Sequence, residues 1–385
     1  MIRRHFIKRA ASVLGLGWMG YEGTQQFVCG RQSLVDTGVF RGDVPDQLDE
    51  HSRPADYAVA RGNLVDCVLC PHECVLAEGD RGICRTRVVK GGVLHTVAYG
   101  NLCAMAVDPV EKKPLYHFLP ESRIVSVAMG GCNLRCSNCQ NWQISQSKPE
   151  DVSRYSMSPA ELVRRTVQGG APSIAYTYTE PMVWFEYVRD ASRLARDAGI
   201  RNVLVTAGYV NRVPLLELAR VVDAVQLDVK SFDDGGYRRI ARGRLDPVLR
   251  TLVVLRDEGV WTEVSFLMVS GLTDGLEHVG EFARWVVANL GVDVPLHLLR
   301  FHPAHRLTHL PPTPVSMMAQ GREAAVSAGL RYVYMGNVAG LGGGETRCPK
   351  DGELLLERRG FQVVTNRVLA GACPKCGTKI AGVFA

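Results

Sequence analysis

Residues 123–139 read RIVSVAMGGCNLRCSNC. An apolar run of strand length stops at two glycines, and three cysteines follow within eight residues. The run reads as a buried strand. The cysteines decide what lies at its end. Thiolates at Cys132, Cys136 and Cys139 can hold three irons of a cubane cluster and leave the fourth iron open. An electron-carrying cluster takes four cysteines, and so does a structural zinc. The loop therefore predicts a catalytic metal centre with one open position.

The pattern continues downstream. SIAYTYT, NVLVTA, AVQLDVK, WTEVSFLMVS, VPLHLLRF and YVYMG are further apolar strands. Between them lie amphipathic stretches such as SPAELVRRTVQGG, with Ser158 as N-cap and Glu161 completing a capping box. Another, MVWFEYVRDASRLARDAG, ends at glycine. Alternating strands and helices predict a parallel sheet covered by helices, either doubly wound or a full or partial barrel. In each case the functional ends are the carboxyl ends of the strands. The three-cysteine loop lies there.

The chain has 385 residues, 46% of them hydrophobic and 22% charged, which suits one large domain with appendages. A net charge of +6 is too modest to argue for nucleic acid. The 12 cysteines are mostly clustered. Cys67, Cys70, Cys74 and Cys84 form a four-ligand group for a second metal or cluster, with His72 as a substitute ligand. Cys348, Cys373 and Cys376 lie in a tail with two CPxxG turns around an apparent hairpin, which resembles a zinc ribbon. Its fourth ligand position holds Asp351, so the expectation is a zinc bound by three cysteines and an aspartate, or an empty ribbon. Cys29 and Cys103 read as incidental, small buried hydrophobes.

The expected organisation is a leader and polar linker over 1–55, a cysteine-rich segment over 56–119, an α/β barrel over 120–340 and a zinc-ribbon-like tail over 341–385. The leader carries Arg3 and Arg4 before a weakly apolar stretch, in the manner of a twin-arginine export signal.

CVLCPHECVLAEGDRGICRTR, DPVEKKPLYHFLP, GGCNLRCSNCQNWQISQ, AYTYTEP, LDVKSF, RFHP and the CPxxG tail follow one another in that order. Together they resemble the radical S-adenosylmethionine enzyme of the AmmeMemoRadiSam group, relatives of pyruvate formate-lyase activating enzymes. The likeness runs from about residue 60 to the tail. It implies a partial (β/α) TIM-type barrel with a 4Fe–4S cluster on Cys132, Cys136 and Cys139. It also implies S-adenosylmethionine on the open iron, cleaved by one electron to methionine and a 5′-deoxyadenosyl radical that abstracts hydrogen from a substrate. A low-potential donor such as flavodoxin or ferredoxin is implied, as is a pathway link to Memo-like and AMMECR-like proteins. The substrate is open; a protein glycyl, as in activating enzymes, is one expectation.

Within this frame Asn133, Leu134, Arg135, Ser137 and Asn138 form the cluster loop. Trp142 is a candidate to shield the cluster or contact adenine, with plain packing as the alternative. Glu180 stands where activating enzymes carry a GGEP-type motif that meets the methionyl amine; the glycines are absent here. Asp228 and Lys230 share one strand face. They are candidates for the amine and carboxylate or the ribose, with an internal ion pair as the alternative. His302 and Thr206 end strands and are cofactor candidates. Lys112, Lys113, Tyr116 and His117 belong to a loop that lines the site, docks a partner or is merely solvated.

The competing class is a non-catalytic metalloprotein for electron transfer or nucleic-acid binding. It needs neither an open iron nor charges at several strand ends, and the tail lacks clustered basic residues, so no nucleic acid is expected. Supply of electrons and of the cofactor favours the cytoplasm, with export or membrane association left open by the leader.

Overall fold

The structure is a computed structural model that describes residues 39–338 and 342–384. The leader with Arg3, Arg4 and Cys29 lies outside the described residues. The described residues form one compact unit.

Eight strands build the central sheet: β1 Asn101–Pro109, β2 Arg123–Met129, β3 Ser173–Tyr176, β4 Arg201–Thr206, β5 Ala224–Val229, β6 Trp261–Met268, β7 Leu296–Arg300 and β8 Val333–Gly336. They lie side by side in chain order, with the short strand Tyr155–Ser156 added outside β1. β1 pairs antiparallel with β2, and every pair from β2 to β8 is parallel. Because the strand order never reverses, right-handed crossovers put the helices on one face. Among the described residues its edge strands, Tyr155–Ser156 and β8, do not pair with each other, so the sheet is open and consistent with a partial barrel.

The helices of two turns or more are α1 Pro159–Gln168, α2 Phe185–Asp197, α3 Arg212–Ala219, α4 Asp234–Ala241, α5 Leu245–Asp257, α6 Leu276–Leu290 and α7 Val315–Ser327. α2 shows why they pack as they do. Phe185, Val188, Ala191, Ser192 and Ala195 are buried at helical spacing. Truncating Phe185, which has no exposed surface, would cost about 3–5 kcal/mol. At α1 half of the capping box forms. Ser158 Oγ accepts from Glu161 N at 3.2 Å, but the Glu161 carboxylate turns to Arg164 and Arg165 instead of returning to the cap.

One reading of the sequence needs correction. The stretch expected as leader and linker over 1–55 is not a linker in its described part, residues 39–55. Phe40–Arg41 and Arg53–Pro54 are edge strands of a five-stranded sheet with Asp80–Arg81, Arg87–Lys90 and Val93–Thr96. The cysteine-rich segment is built from this sheet and a second, three-stranded one over Ala58–Arg61, Leu64–Cys67 and Val75–Ala77. Strands this short carry no readable period. The segment is tied to the barrel by a buried ion pair, Arg87 to Glu186 at 2.9 Å.

The tail forms a three-stranded antiparallel sheet over Thr346–Arg347, Leu354–Arg359 and Gln362–Asn366. It docks on the loop before β2: Phe118 bridges Val383, and Arg358 donates to the Tyr116 carbonyl at 2.7 Å.

Candidate active site

A cavity of about 300 Å³ opens at the carboxyl ends of the strands. Each parallel strand delivers a residue to it: Cys132 after β2, Glu180 after β3, Thr206 from β4, Asp228 and Lys230 around the end of β5, Leu267 from β6, His302 after β7 and Asn337 after β8. Cys136 and Cys139 also line it. Of the cluster cysteines and the cofactor candidates only Trp142 stays outside, and of the cluster loop Leu134 and Asn138 line the cavity whereas Asn133, Arg135 and Ser137 do not. The Trp142 ring stacks on His305 with centroids 5.2 Å apart and is 42% exposed. It therefore neither walls the cavity nor covers the cysteines.

The cluster loop is fixed from both sides. Arg135 N and Ser137 N donate to the Ala241 and Ile240 carbonyls at the end of α4, at 2.9 and 2.8 Å. Asn133 Nδ2 donates to Tyr209 O at 2.7 Å. His72 Nε2 lies 2.7 Å from the Asn133 carbonyl, so His72 braces this loop. Gly131 (φ +99°) sits on the cysteine-rich segment; a Cβ there would lie 2.5 Å from the Cys84 carbonyl oxygen. Among the sulfurs, Cys132 Sγ accepts from Leu134 N at 3.3 Å, and Cys139 Sγ lies 3.2 Å from Ser145 Oγ. Burial pushes the Cys132 thiol well up and that of Cys136 to about 12. A bound cation is what draws such thiols into the thiolate form.

Glu180 is buried and held by three donors. Thr206 Oγ1 lies at 2.5 Å, Ala207 N at 2.9 Å and Met182 N at 3.2 Å. Burial nonetheless raises its pKa above the ordinary carboxylate value. A carboxylate offers about four acceptor positions, so one remains for a ligand. Asp228 and Lys230 pair with each other at 3.1 Å, and Ser265 and Gln226 also donate to Asp228. Burial opposes both charges. The pair and its hydrogen bonds outweigh it, so Lys230 is raised and Asp228 lowered. The internal ion pair is thus real, and it faces the cavity. His302 is exposed at the rim, 3.4 Å from Asn337 O.

The sequence reading missed a second charged group at this mouth. Asp108, at the end of β1, takes Lys112 at 2.8 Å, Lys113 at 2.6 Å and the Tyr178 hydroxyl at 2.6 Å. Burial works against its ionisation, but these donors hold the carboxyl well below the usual range. Lys112, Lys113 and Tyr178 line the cavity. Tyr116 and His117 do not; they face the tail. His117 sits 2.6 Å from both Ala381 O and the Tyr334 hydroxyl, and Glu263 accepts from the Tyr116 and His117 backbone amides and from His297. The first residue of DPVEKKP was the available signal for Asp108, but its partner Tyr178 stands seventy positions away.

The two remaining cysteine groups differ. Cys67, Cys70, Cys74 and Cys84 are all buried and mutual neighbours. Yet the tail group Cys348, Asp351, Cys373 and Cys376 is the one whose ligand atoms all lie within 4.8 Å among the described residues. Cys103 is a buried thiol 3.4 Å from Ala128 O.

The family model of the Radical SAM superfamily matches residues 126–286. An uncharacterized protein of Methanocaldococcus jannaschii is 42% identical over 320 residues, covering 83% of this chain and 95% of that protein. The pyruvate formate-lyase-activating enzyme of Clostridium pasteurianum is 27% identical, over 45% of this chain and 72% of its own. Among solved structures, a radical SAM methyltransferase from Sphaerobacter thermophilus gives a TM-score of 0.45 at 18% identity, covering 57% of this chain and 68% of that one. With three cysteines in CxxxCxxC spacing at the carboxyl end of the first parallel strand, the chain carries a Radical SAM superfamily domain over residues 126–286.

Proposed function

We propose that this chain cleaves S-adenosylmethionine reductively and directs the resulting radical at a substrate reaching the cavity beside Lys112 and Lys113. One observation carries the reading: Cys132, Cys136 and Cys139 share a single cavity with Glu180 and the Asp228–Lys230 pair.

The residues fit the groups this family uses. The three cysteines line one cavity, as suits thiolates that hold three irons of a cluster and leave a fourth open. Asn138 Oδ1 and Gln226 Oε1, both in the lining, have no hydrogen-bond partner among the described residues. When bound, the cluster supplies an electron to break the cofactor's sulfonium carbon–sulfur bond, and the nucleoside fragment supplies the hydrogen-abstracting radical. Everything else is the chain's work. Glu180 would accept from the methionyl ammonium through its remaining lone pair. Lys230 would donate to the carboxylate, with Asp228 holding Lys230 in place. Leu267, Leu299 and Phe301 line the apolar wall and keep water from the reacting fragment.

The narrower assignments rest on motif order and analogy. We place the chain with the AmmeMemoRadiSam group, and so beside Memo-like and AMMECR-like proteins. The activating enzymes suggest a protein backbone as substrate, flavodoxin or ferredoxin as donor, and the cytoplasm as the setting. No helix among the described residues is long and apolar enough to cross a membrane.

The test is anaerobic. The protein is reconstituted with iron and sulfide, given dithionite and S-adenosylmethionine, and assayed for 5′-deoxyadenosine by chromatography. Nucleoside from the wild type and none from Cys136→Ala is the expected result. An intact cluster whose EPR signal ignores the cofactor would overturn the reading in favour of an electron carrier.

A further inference from the structure

The tail contains the same turn twice. Cys348–Pro349–Lys350–Asp351–Gly352 and Cys373–Pro374–Lys375–Cys376–Gly377 differ at one position. In both, the glycine N–H donates to the first cysteine's carbonyl, at 3.0 Å and 2.9 Å. In both, that glycine takes a left-handed φ, +74° and +71°. Asp351 therefore stands where the second turn has Cys376.

The side chains converge. Cys348 Sγ and Cys376 Sγ are 3.6 Å apart, and Cys373 Sγ lies 3.9 Å from both Asp351 oxygens. Two sulfurs on one tetrahedral zinc, each about 2.3 Å from the ion, lie about 3.8 Å apart. A disulfide would need an S–S distance of about 2.05 Å. Three thiols and a carboxylate on one point are a poor packing unit without a cation, since none fills the space as a methyl group would. Glu353 N donates to Asp351 Oδ1 at 3.1 Å, which fixes the carboxylate's orientation.

We propose that the tail binds one Zn²⁺ through Cys348, Cys373, Cys376 and Asp351. Three soft sulfurs with one oxygen in tetrahedral array suit zinc rather than magnesium or calcium. Four protein ligands leave no position for substrate, so the ion is structural. Cys348 and Cys373 belong to the apolar cluster of Tyr116, Tyr334 and Leu355, behind the loop that carries Lys112 and Lys113 to the cavity. The ion thus ties the tail's two turns together, and the tail so fixed packs against that loop.

The experiment uses the full-length protein. Zinc and iron are counted by mass spectrometry in wild type, Asp351→Ala, Asp351→Cys and Cys376→Ser; metal held elsewhere cancels in the differences. Circular dichroism checks that each variant is folded. Cys376→Ser is expected to lose about one zinc per chain, and Asp351→Ala to release it to a chelator at least tenfold faster. Asp351→Cys is expected to keep it. With Co²⁺ in place of zinc, the thiolate charge-transfer band should grow by about one third in Asp351→Cys, as three thiolates become four. Equal zinc content and release in wild type, Asp351→Ala and Cys376→Ser would overturn the proposal. So would a cobalt band that ignores Asp351→Cys. Iron content and nucleoside formation report separately on the barrel cluster, so failure of one reading leaves the other standing.

Discussion

The barrel loop and the tail each offer three cysteines, and the fold treats them in opposite ways. Cys132, Cys136 and Cys139 open on a cavity lined by Glu180, Asp228 and Lys230. Cys348, Cys373 and Cys376 close on one point, and Asp351 completes the set. A count of thiols therefore does not define a metal site. What surrounds the sulfurs does: charges and a cavity in one case, a carboxylate and apolar packing in the other. The loop from Asp108 to Phe118 joins the two. Lys112 and Lys113 line the cavity, while Tyr116 and His117 are anchored on the tail.

The sharpest break of that comparison is Cys136→Ala. It should abolish nucleoside formation and cluster iron outright while leaving the tail zinc untouched. Parallel iron and zinc counts on one sample check it. Loss of both metals would show that the two sites are not separate.

Next in size is Asp108→Asn. Lys113 is nearly fully buried and would lose its counter-charge, a change that typically costs about 3–5 kcal/mol. Chemical denaturation should show the drop in midpoint. The carboxyl's lowered pKa gives the sign with pH. Its contribution is complete above the ordinary carboxylate pKa and is lost as acid drives the folded group to protonate. A variant as stable as wild type would mean that Lys113 finds another partner and that the loop is not pinned at Asp108.

These two predictions also separate what the sequence shows from what it hides. Parallel strands buried on both faces read as apolar runs; all but the first residue of RIVSVAM are buried. The cluster loop reads by spacing alone. β1 is less legible, because its inner half is buried and its outer half mixed, with no sustained alternation. Asp108 was invisible as a site residue because Tyr178 and Lys113 give it meaning only once the chain has folded. The role of His72 as a brace was hidden for a similar reason. Beside four cysteines it looks like a ligand, and its contact with a carbonyl sixty-one residues later appears only in the fold. The charged stretch over 39–55 resembles a linker because short edge strands can be polar throughout.

A smaller effect tests the tail side. Burial lowers the His117 pKa to about 4 from an ordinary 6.5, so the folded protein keeps the ring neutral. The unfolded chain binds the extra proton between those values, so stability rises with pH across that window. The contribution is complete above about pH 6.5 and gone below about pH 4, and is on the order of 3 kcal/mol. Denaturation from pH 7 to 4 should lose it, and His117→Gln should flatten the slope. Unchanged slopes in the variant would assign the acid sensitivity elsewhere.

The smallest effect belongs to Trp142. It follows the cluster loop closely in sequence, which made it a candidate to shield the metal or meet adenine. In the fold it leaves the cavity and stacks on His305 at the surface. Trp142→Ala removes one exposed aromatic contact, worth about 0.5–1.5 kcal/mol beyond the area it buries. Cofactor affinity and nucleoside yield should stay within about twofold of wild type, a difference of less than about 0.5 kcal/mol. A tenfold loss of cofactor binding would mean that the ring swings over the open iron when the cofactor is present. The barrel site would then be closed by a side chain, and its contrast with the tail would be one of timing rather than of architecture.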